Sequence, residues 1–312
     1  MADAVNGSIR INLKSVSVVT GLSVLYLIIS YFLVGFKSDQ LVLIGIFNVL
    51  FYASVVTRKF ILGFSIFIVY WIIFDYMKAF PNYNYNPVAI DDLYNAEKSL
   101  FGIYVDGKLL TPNEYFLIRS TSFIDVMAGL FYLCWIPVPL GFAAYLFFKN
   151  KQQFLYFSLT FVVVNLLGFV VYYTYPAAPP WYIQAHGFNF HPLTRGSTAG
   201  LDRFDKYFNV NVFKSIYSKG SNVFAAMPSL HSSYPVIVLY YGIKNKLGVA
   251  NIFFFIVTVG IWFTAVYASH HYVLDVLAGI ICAILGIILF NLILSSSKLI
   301  KRSLDHYEKI IQ

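Results

Sequence analysis

Long apolar runs, repeated along most of the chain, constrain this sequence more than any other feature. A run of about 18 or more apolar residues is long enough to cross the roughly 30 Å hydrocarbon core of a bilayer as a helix. Reading for such runs places spans near 15–36, 40–57, 60–77, 123–148, 153–175, 229–243, 247–268 and 272–296. The predicted fold class is therefore all-α, a polytopic membrane helix bundle of about eight transmembrane helices. Composition agrees, since 59% of the 312 residues are hydrophobic and 12% charged, against about 45–50% and about 25% in soluble domains. Soluble and disordered classes are excluded. The sixth run is the shortest, about 15 residues or roughly 22 Å of helix. Pro235 within it, and Pro137 and Pro139 within the fourth, predict kinks.

The charges between the runs set the topology. Arg10 and Lys14 precede the first span, Arg58 and Lys59 join the second and third, and Lys149 and Lys151 join the fourth and fifth. Lys244 and Lys246 join the sixth and seventh, and Lys298, Lys301 and Arg302 follow the eighth. With eight spans all five clusters fall on one side, the cytoplasm by the positive-inside rule, and both termini with them. The net charge of +8 is thus scattered in topology signals and forms no stripe for nucleic acid. The first apolar run starts late and has full span length, unlike a cleavable signal peptide. The Asn6-Gly7-Ser8 sequon falls on the cytoplasmic side and is read as a chance match. Cys134 and Cys282 each lie in an apolar run, which fits neither a disulfide scaffold nor a zinc ribbon.

This divides the chain into an N-terminal group of three spans (1–80), an extracytoplasmic interfacial segment (81–122), a membrane core (123–296) with an extracytoplasmic loop (176–228), and a cytoplasmic basic tail (297–312). The first polar segment, with its Tyr- and Asn-rich start at Pro81 and its amphipathic stretch from Asp91 to Ile103, reads as an interfacial helix without assigned chemistry. Function is expected on the extracytoplasmic side, where five of the six histidines gather.

Two elements there carry chemistry. In Met227-Pro-Ser-Leu-His-Ser-Ser233, Pro228 and Ser229 mark a helix start, with His231 in its first turn. Such a start offers unpaired amides and the positive end of the dipole, so Ser229 and its neighbours suit a phosphate. In His270-His-Tyr-Val-Leu-Asp275, His271 and Asp275 are four apart and, on a helix, share a face. A carboxylate accepting the Nδ1 proton leaves Nε2 as a lone pair of fixed orientation, the requirement for a nucleophilic imidazole. An ionisable residue just inside a membrane helix is costly and usually marks a site.

Other residues keep two readings. His186, His191 and His306 read as interfacial or satisfied polar groups. Trp181 and Tyr182, in a proline-rich stretch predicted to be extended, either wall the site and stack a sugar or belong to an interfacial aromatic belt. Asp75 and Asp125, at the outer ends of the third and fourth spans, either bind an acceptor headgroup or snorkel to the interface. A histidine-rich metal or haem site is the rival to nucleophilic chemistry, but no second-ligand spacing such as His-x-Glu-x-x-His occurs.

Pro228-Ser-Leu-His231-Ser, followed some forty residues later by His271-x-x-x-Asp275, resembles the second and third signature motifs of the type 2 phosphatidic-acid phosphatase superfamily. Four ordered blocks narrow this further: Tyr175-Pro-Ala-Ala-Pro-Pro-Trp-Tyr182, Gly200-Leu-x-Arg203-x-Asp205-Lys206, the run from Met227, and His270-His-Tyr-x-x-Asp275. Together they are similar to the aureobasidin-A-resistance family, the inositol phosphorylceramide synthases, over about residues 120–285. The resemblance implies a phosphatidic-acid-phosphatase-type catalytic core in which His271 is the nucleophile, Asp275 its orienting partner and His231 the general acid and base. It implies a phosphohistidine intermediate carrying phosphoinositol from a phosphatidylinositol donor to a ceramide-type acceptor, with no metal or cofactor. The alternative is a lipid phosphate phosphatase hydrolysing a phosphomonoester. Oligomeric state and any accessory subunit leave no sequence signal.

The departures from the broad superfamily concern phosphate binding. Its Lys…Arg-Pro first motif is replaced here by the Tyr175–Tyr182 stretch, and Ala265 stands where an arginine precedes the nucleophile by six residues. Fewer cations suit a singly charged phosphodiester better than a nearly dianionic monoester. Arg203 is the first candidate to supply charge, then His270, with Lys206 and Arg195 behind. Arg203 as a surface charge paired with Asp202 or Asp205 is the competing reading.

Overall fold

The structure, a computed structural model, describes residues 13–218, 220 and 222–312. Arg10 and the Asn6 sequon lie outside the described residues. Along the chain run α1 (Leu13–Val34), α2 (Ser38–Ala53), α3 (Val55–Tyr76), α4 (Asp91–Phe101), a short antiparallel hairpin of β1 (Ile103–Val105) and β2 (Lys108–Leu110), and α5 (Pro112–Ile118). They continue with α6 (Ser122–Leu133), α7 (Pro137–Lys149), α8 (Lys151–Thr174), α9 (Pro180–His186), α10 (Asp202–Phe208) and α11 (Val212–Tyr217). The last are α12 (Leu230–Lys244), α13 (Ala250–Tyr267), α14 (Val273–Ser296) and α15 (Lys298–Ile311).

Among the described residues, six helical stretches are long and apolar enough to cross a membrane: Leu13–Val34, Val55–Ala79, Ser122–Lys149, Lys151–Thr174, Ala250–Tyr267 and Val273–Ser296. The protein is an integral, multi-pass membrane protein. Helices also stand at the other two expected spans, but α2 has 16 residues and α12 has 15. At 1.5 Å per residue these reach only about 24 and 22 Å. α12 is short because its first turn is used inside a polar centre. The fourth run breaks at Cys134–Ile136, just before Pro137, as its prolines predict, whereas Pro235 lies inside a continuous α12. The amphipathic stretch from Asp91 folds as α4.

The chain forms two compact units. One comprises the N-terminal residues up to Phe80, Leu146–Ser158 and Ser297–Gln312. Polar side chains pair inside it: Ser30 with the Tyr76 hydroxyl at 2.9 Å, Lys78 with Asp75 at 2.6 Å, and Tyr307, whose hydroxyl donates to the Leu62 carbonyl at 2.6 Å. Asp75 is therefore tied to its neighbour one turn on.

The other unit comprises Pro81–Tyr145 and Leu159–Ser296 and holds the histidine, serine, arginine and aromatic candidates of the site, together with Asp125 and Asp275. Its loops are fixed by backbone pairing. The extended segment 176–178 bridges Ala89 on one side and Ala225 on the other, through Ala89 N–H to Pro176 O, Ala178 N–H to Ala89 O and Ala177 N–H to Phe224 O, at 2.8–3.0 Å. Asn82, fully buried, donates to the Tyr172 and Phe224 carbonyls at 2.9 and 2.8 Å. The proline-rich stretch is only partly extended: Pro180 occupies the first turn of α9, where a missing N–H costs nothing, so Trp181 and Tyr182 are helical, contrary to the sequence expectation.

The starts of α12 and α14 are locked together. The Ser229 amide donates to the Asp275 carbonyl at 2.9 Å, and the Ser233 hydroxyl donates to the Gly279 carbonyl at 2.7 Å. A Cβ at Gly279 would fall within the Ser229 carbonyl, a backbone group that cannot swing away. Gly279→Ala is expected to destabilise the protein by roughly 1–3 kcal/mol through overpacking, measured as a lower thermal midpoint in detergent; an unchanged midpoint would refute the close approach.

Candidate active site

Ser229 caps α12 from an extended backbone conformation, its hydroxyl accepting from the Ser232 amide and the Ser232 hydroxyl at 3.3 and 3.0 Å. It is fully buried. Ser229 is occupied in building the helix start: its amide, expected to face a phosphate, is given to the Asp275 carbonyl. The cap presents His231 from the first turn.

The second histidine comes from the turn between α13 and α14. The Ala265 carbonyl accepts the amides of both His270 and His271, at 3.1 and 2.9 Å, and Ser269 bends the chain through a positive φ of 59°. Ala265 itself is buried in an apolar cluster with Tyr132, Leu201 and Phe204, which leaves no polar surroundings for a longer, charged side chain. This turn aims His271 at His231: His231 Nδ1 and His271 Nε2 are 3.2 Å apart. His271 Nδ1 lies 3.0 Å from the Ala226 carbonyl oxygen. A carbonyl only accepts, so Nδ1 carries the proton and Nε2 keeps its lone pair.

Asp275 approaches His271 as its spacing predicts, but without a direct hydrogen bond. Its Oδ2 is 3.6 Å from His271 Nδ1, close enough for an ion pair but longer than a hydrogen bond, and the same oxygen accepts the Tyr272 amide at 2.8 Å. The reason is the helix boundary. α14 begins at Val273, so His271 precedes the helix and the i,i+4 face argument does not apply. Asp275 closes the first turn as the acidic half of a capping box, while the Ala226 carbonyl sets the tautomer.

Aromatic rings wall the pair. Trp135, at the break between α6 and α7, sets its ring edge-on to His231 at 4.4 Å between centroids, and Tyr132 lies 5.3 Å from the same imidazole. His270 is stacked between Tyr217 and Tyr132, at 4.5 and 5.6 Å, with its Nε2 bonded to the Thr198 carbonyl at 3.0 Å. Burial, and then the neighbouring His271, push its pKa down to about 3. His270 is thus held neutral at physiological pH, and its expected part as a cation gains no support from this setting.

Arg203, in α10, finds neither Asp202 nor Asp205. Its Nε donates to Asp125 Oδ1 at 2.5 Å, and the same oxygen accepts the Tyr267 hydroxyl at 2.7 Å. Asp202 pairs with Lys206 at 2.5 Å, and Asp205 accepts the Phe213 and Lys214 amides at the start of α11. One terminal nitrogen of Arg203, Nη2, is buried without a hydrogen-bond partner. Gly200 makes room for it, since a Cβ there would sit 2.9 Å from Nη2 and 3.0 Å from Nη1. The Gly200 amide donates to the Ala268 carbonyl at 2.9 Å, which ties this arginine's segment to the histidine turn.

Of the aromatic candidates, Trp181 is partly exposed and its amide donates to the Ser269 carbonyl at 3.0 Å. Tyr182 is fully buried, its hydroxyl donating to the Asn189 carbonyl and accepting the His191 amide, both at 2.7 Å. It holds the loop together and has no face left for a sugar. His186 and His191 are exposed. Among the described residues, no group of three or more His, Cys, Asp or Glu side chains is arranged to hold a metal ion.

Two buried residues beside the histidine turn went unnoticed in the sequence. Glu97 of α4 accepts the Val273 and Leu274 amides at 2.9 and 3.1 Å. Asn113 of α5 donates to the Val266 and His271 carbonyls at 2.8 and 2.9 Å. The signal for Glu97 was a carboxylate on the apolar face of an amphipathic helix, in line with buried Ile90 and Leu93. Asn113 lies within the Thr111…Glu114 capping box that starts α5.

Fold and site define a multi-pass membrane enzyme whose polar residues converge on paired histidines at two helix starts. The chain belongs to the PAP2 superfamily, whose family model matches residues 109–289. It is 44% identical over 290 residues to a phosphoinositol dihydroceramide synthase of Bacteroides thetaiotaomicron, covering 92% of this chain and 95% of that one. It is 29% identical over 260 residues to the inositol phosphorylceramide synthase catalytic subunit of Saccharomyces cerevisiae, covering 79% of this chain and 61% of the yeast protein. A third relative, the inositol phosphorylceramide synthase of Candida albicans, is 32% identical over 166 residues, 51% of this chain and 34% of that one. No solved structure matches the chain.

Removing Asp125 would leave the Arg203 guanidinium, whose side chain is 21% exposed, without its counter-charge. Asp125→Ala is expected to cost roughly 2–3 kcal/mol, somewhat below the ~3–5 kcal/mol for a wholly buried pair, measured as a fall in the thermal midpoint. Equal midpoints would show that the pair contributes nothing.

Proposed function

We propose that this protein transfers phosphoinositol from phosphatidylinositol to a ceramide-type alcohol, with His271 as nucleophile and His231 as general acid and base. The observation that carries the reading is the 3.2 Å approach of His231 Nδ1 to a His271 Nε2 whose other nitrogen is tied to a carbonyl. The 44% identity, over nearly all of both chains, to a phosphoinositol dihydroceramide synthase supports a phosphoinositol donor and a ceramide-type acceptor.

In the first half-reaction the phosphodiester enters between the two rings. Nε2 of His271 forms a bond to phosphorus as the bond to the glycerol oxygen breaks, and His231, taking up a proton as the phosphodiester anion settles against it, gives that proton to the departing oxygen, releasing diacylglycerol. The phosphohistidine keeps its proton on Nδ1, where the Ala226 carbonyl and the nearby Asp275 carboxylate meet the ring's positive charge. In the second half His231, now neutral, takes the proton of the ceramide hydroxyl as its oxygen attacks phosphorus and the N–P bond breaks. One group thus serves both halves. The charge near the pair favours a diester over a monoester, because Arg203 is already paired with Asp125 and His270 is neutral.

In this reading residues 123–296 carry the reaction, residues 81–122 support it, and the five basic clusters hold the opposite ends in the cytoplasm, so that the centre faces the lumen or periplasm.

Two measurements follow. With labelled phosphatidylinositol and a fluorescent ceramide in detergent, His271→Ala is expected to give only background product and His231→Ala to lose about 10²–10⁴-fold in rate; wild-type product from His271→Ala would end the proposal. For orientation, a cysteine at Leu193, which is 83% exposed, is expected to react with a membrane-impermeant maleimide in sealed right-side-out vesicles. Protection there, with labelling only in inverted vesicles, reverses the topology.

A further inference from the structure

The turn that aims His271 has little regular structure of its own. His271 lies outside α14, Ser269 holds a positive φ, and the first amides of α14 belong to a helix end that must find acceptors in a buried setting. Two of those amides, Val273 and Leu274, end on the two oxygens of Glu97, and the Tyr272 amide just before them ends on Asp275. Glu97 is fully buried and comes from α4, some 176 residues away in sequence. A bidentate carboxylate across two consecutive amides, at the positive end of the dipole, fixes both the rotation and the axial position of the first turn.

We propose that Glu97 is a positioning residue for the transfer reaction: its ionised carboxylate holds the start of α14, and through Asp275 and Tyr272 the histidine turn, in the register that sets His271 against His231. This rests on the reaction proposed above and adds to it a group that touches neither substrate. Asn113 closes the same turn from the other side through the His271 carbonyl.

The carboxylate is held at a cost. Burial, and to a lesser extent the nearby Asp275, push the Glu97 pKa up from 4.5 to about 7, against the two amide bonds that lower it. The other ionisable groups around it are Tyr272 before α14, Glu114 of α5, and Tyr94 and Lys98 of its own helix. The folded protein therefore binds this proton more tightly than the unfolded chain. Ionising Glu97 removes stability as pH rises from about 4.5 to about 7, with the full cost present above that. Protonation in turn removes one acceptor from the helix start. The organised turn and the most stable fold thus lie on opposite sides of neutrality.

The test uses the full chain in detergent, with phosphatidylinositol and ceramide as substrates. Glu97→Gln is expected to lower kcat about tenfold at pH 8 with KM for both lipids within twofold, and to lose an acid limb in the kcat profile centred near pH 7. Glu97→Asp, which keeps the charge with a shorter reach, is expected to restore the limb and part of kcat. Asp91→Asn, an exposed charge on the same helix, leaves both unchanged. Wild-type kcat in Glu97→Gln, or a reduced kcat with the limb intact, overturns the proposal. Hydrogen exchange at the Val273 and Leu274 amides gives a readout independent of substrate. It should rise in the wild type below pH 7 relative to its intrinsic rate, and in Glu97→Gln at every pH; unchanged protection overturns the proposal. If Glu97→Gln does not fold, Glu97→Asp and the wild-type exchange titration decide. If the wild type makes no phosphorylated ceramide, the proposed reaction fails while the exchange arm still judges Glu97.

Discussion

Everything at the centre of this protein depends on how two helix ends satisfy one another away from water. A helix start leaves its first amides unpaired, and in an apolar setting each costs several kcal/mol. Here the start of α12 gives its Ser229 amide to the Asp275 carbonyl of α14, and Gly279 lets the Ser229 carbonyl come close enough for that bond to form. His231 rides on one of these starts and His271 on the turn just before the other. Their 3.2 Å separation is a by-product of backbone economy as much as of side-chain chemistry.

The loops supply what the helices cannot. Ala226, at the end of a short backbone-paired layer, offers its carbonyl to His271 Nδ1, and that single acceptor decides which ring nitrogen keeps its lone pair. Asp275, the more obvious partner, spends its nearer oxygen on the Tyr272 amide. A carboxylate in direct hydrogen bond to the imidazole would make it more basic. A carbonyl fixes its orientation, and the carboxylate 3.6 Å away acts mainly once the ring becomes cationic.

His231, His271 and Asp275 were legible in the sequence because ionisable groups at the mouths of apolar spans are rare and costly. The detail of their contacts was not, because it turns on whether α14 begins at His271 or at Val273, and loop packing two residues wide decides that. Arg203 was legible as a candidate to supply charge, but its partner Asp125 lies 78 positions away and nothing local distinguishes it from the nearer Asp202 and Asp205. Tyr182 misled for the opposite reason: an aromatic beside prolines looks like a surface ring, whereas Pro180 starts a helix that turns it inward. The membrane spans were plain from hydropathy alone, except where α2 and α12 stop short.

In the reaction proposed above, the neutral His270 and the Arg203–Asp125 pair also bear on how a lipid would reach the histidines. A cation already matched by an anion projects little field, so it does little to draw phosphates from bulk water. Supply is then two-dimensional. Encounter is governed by the mole fraction of donor in the surrounding leaflet and by lateral diffusion, and ionic strength, which throttles electrostatically steered enzymes, has little to act on here.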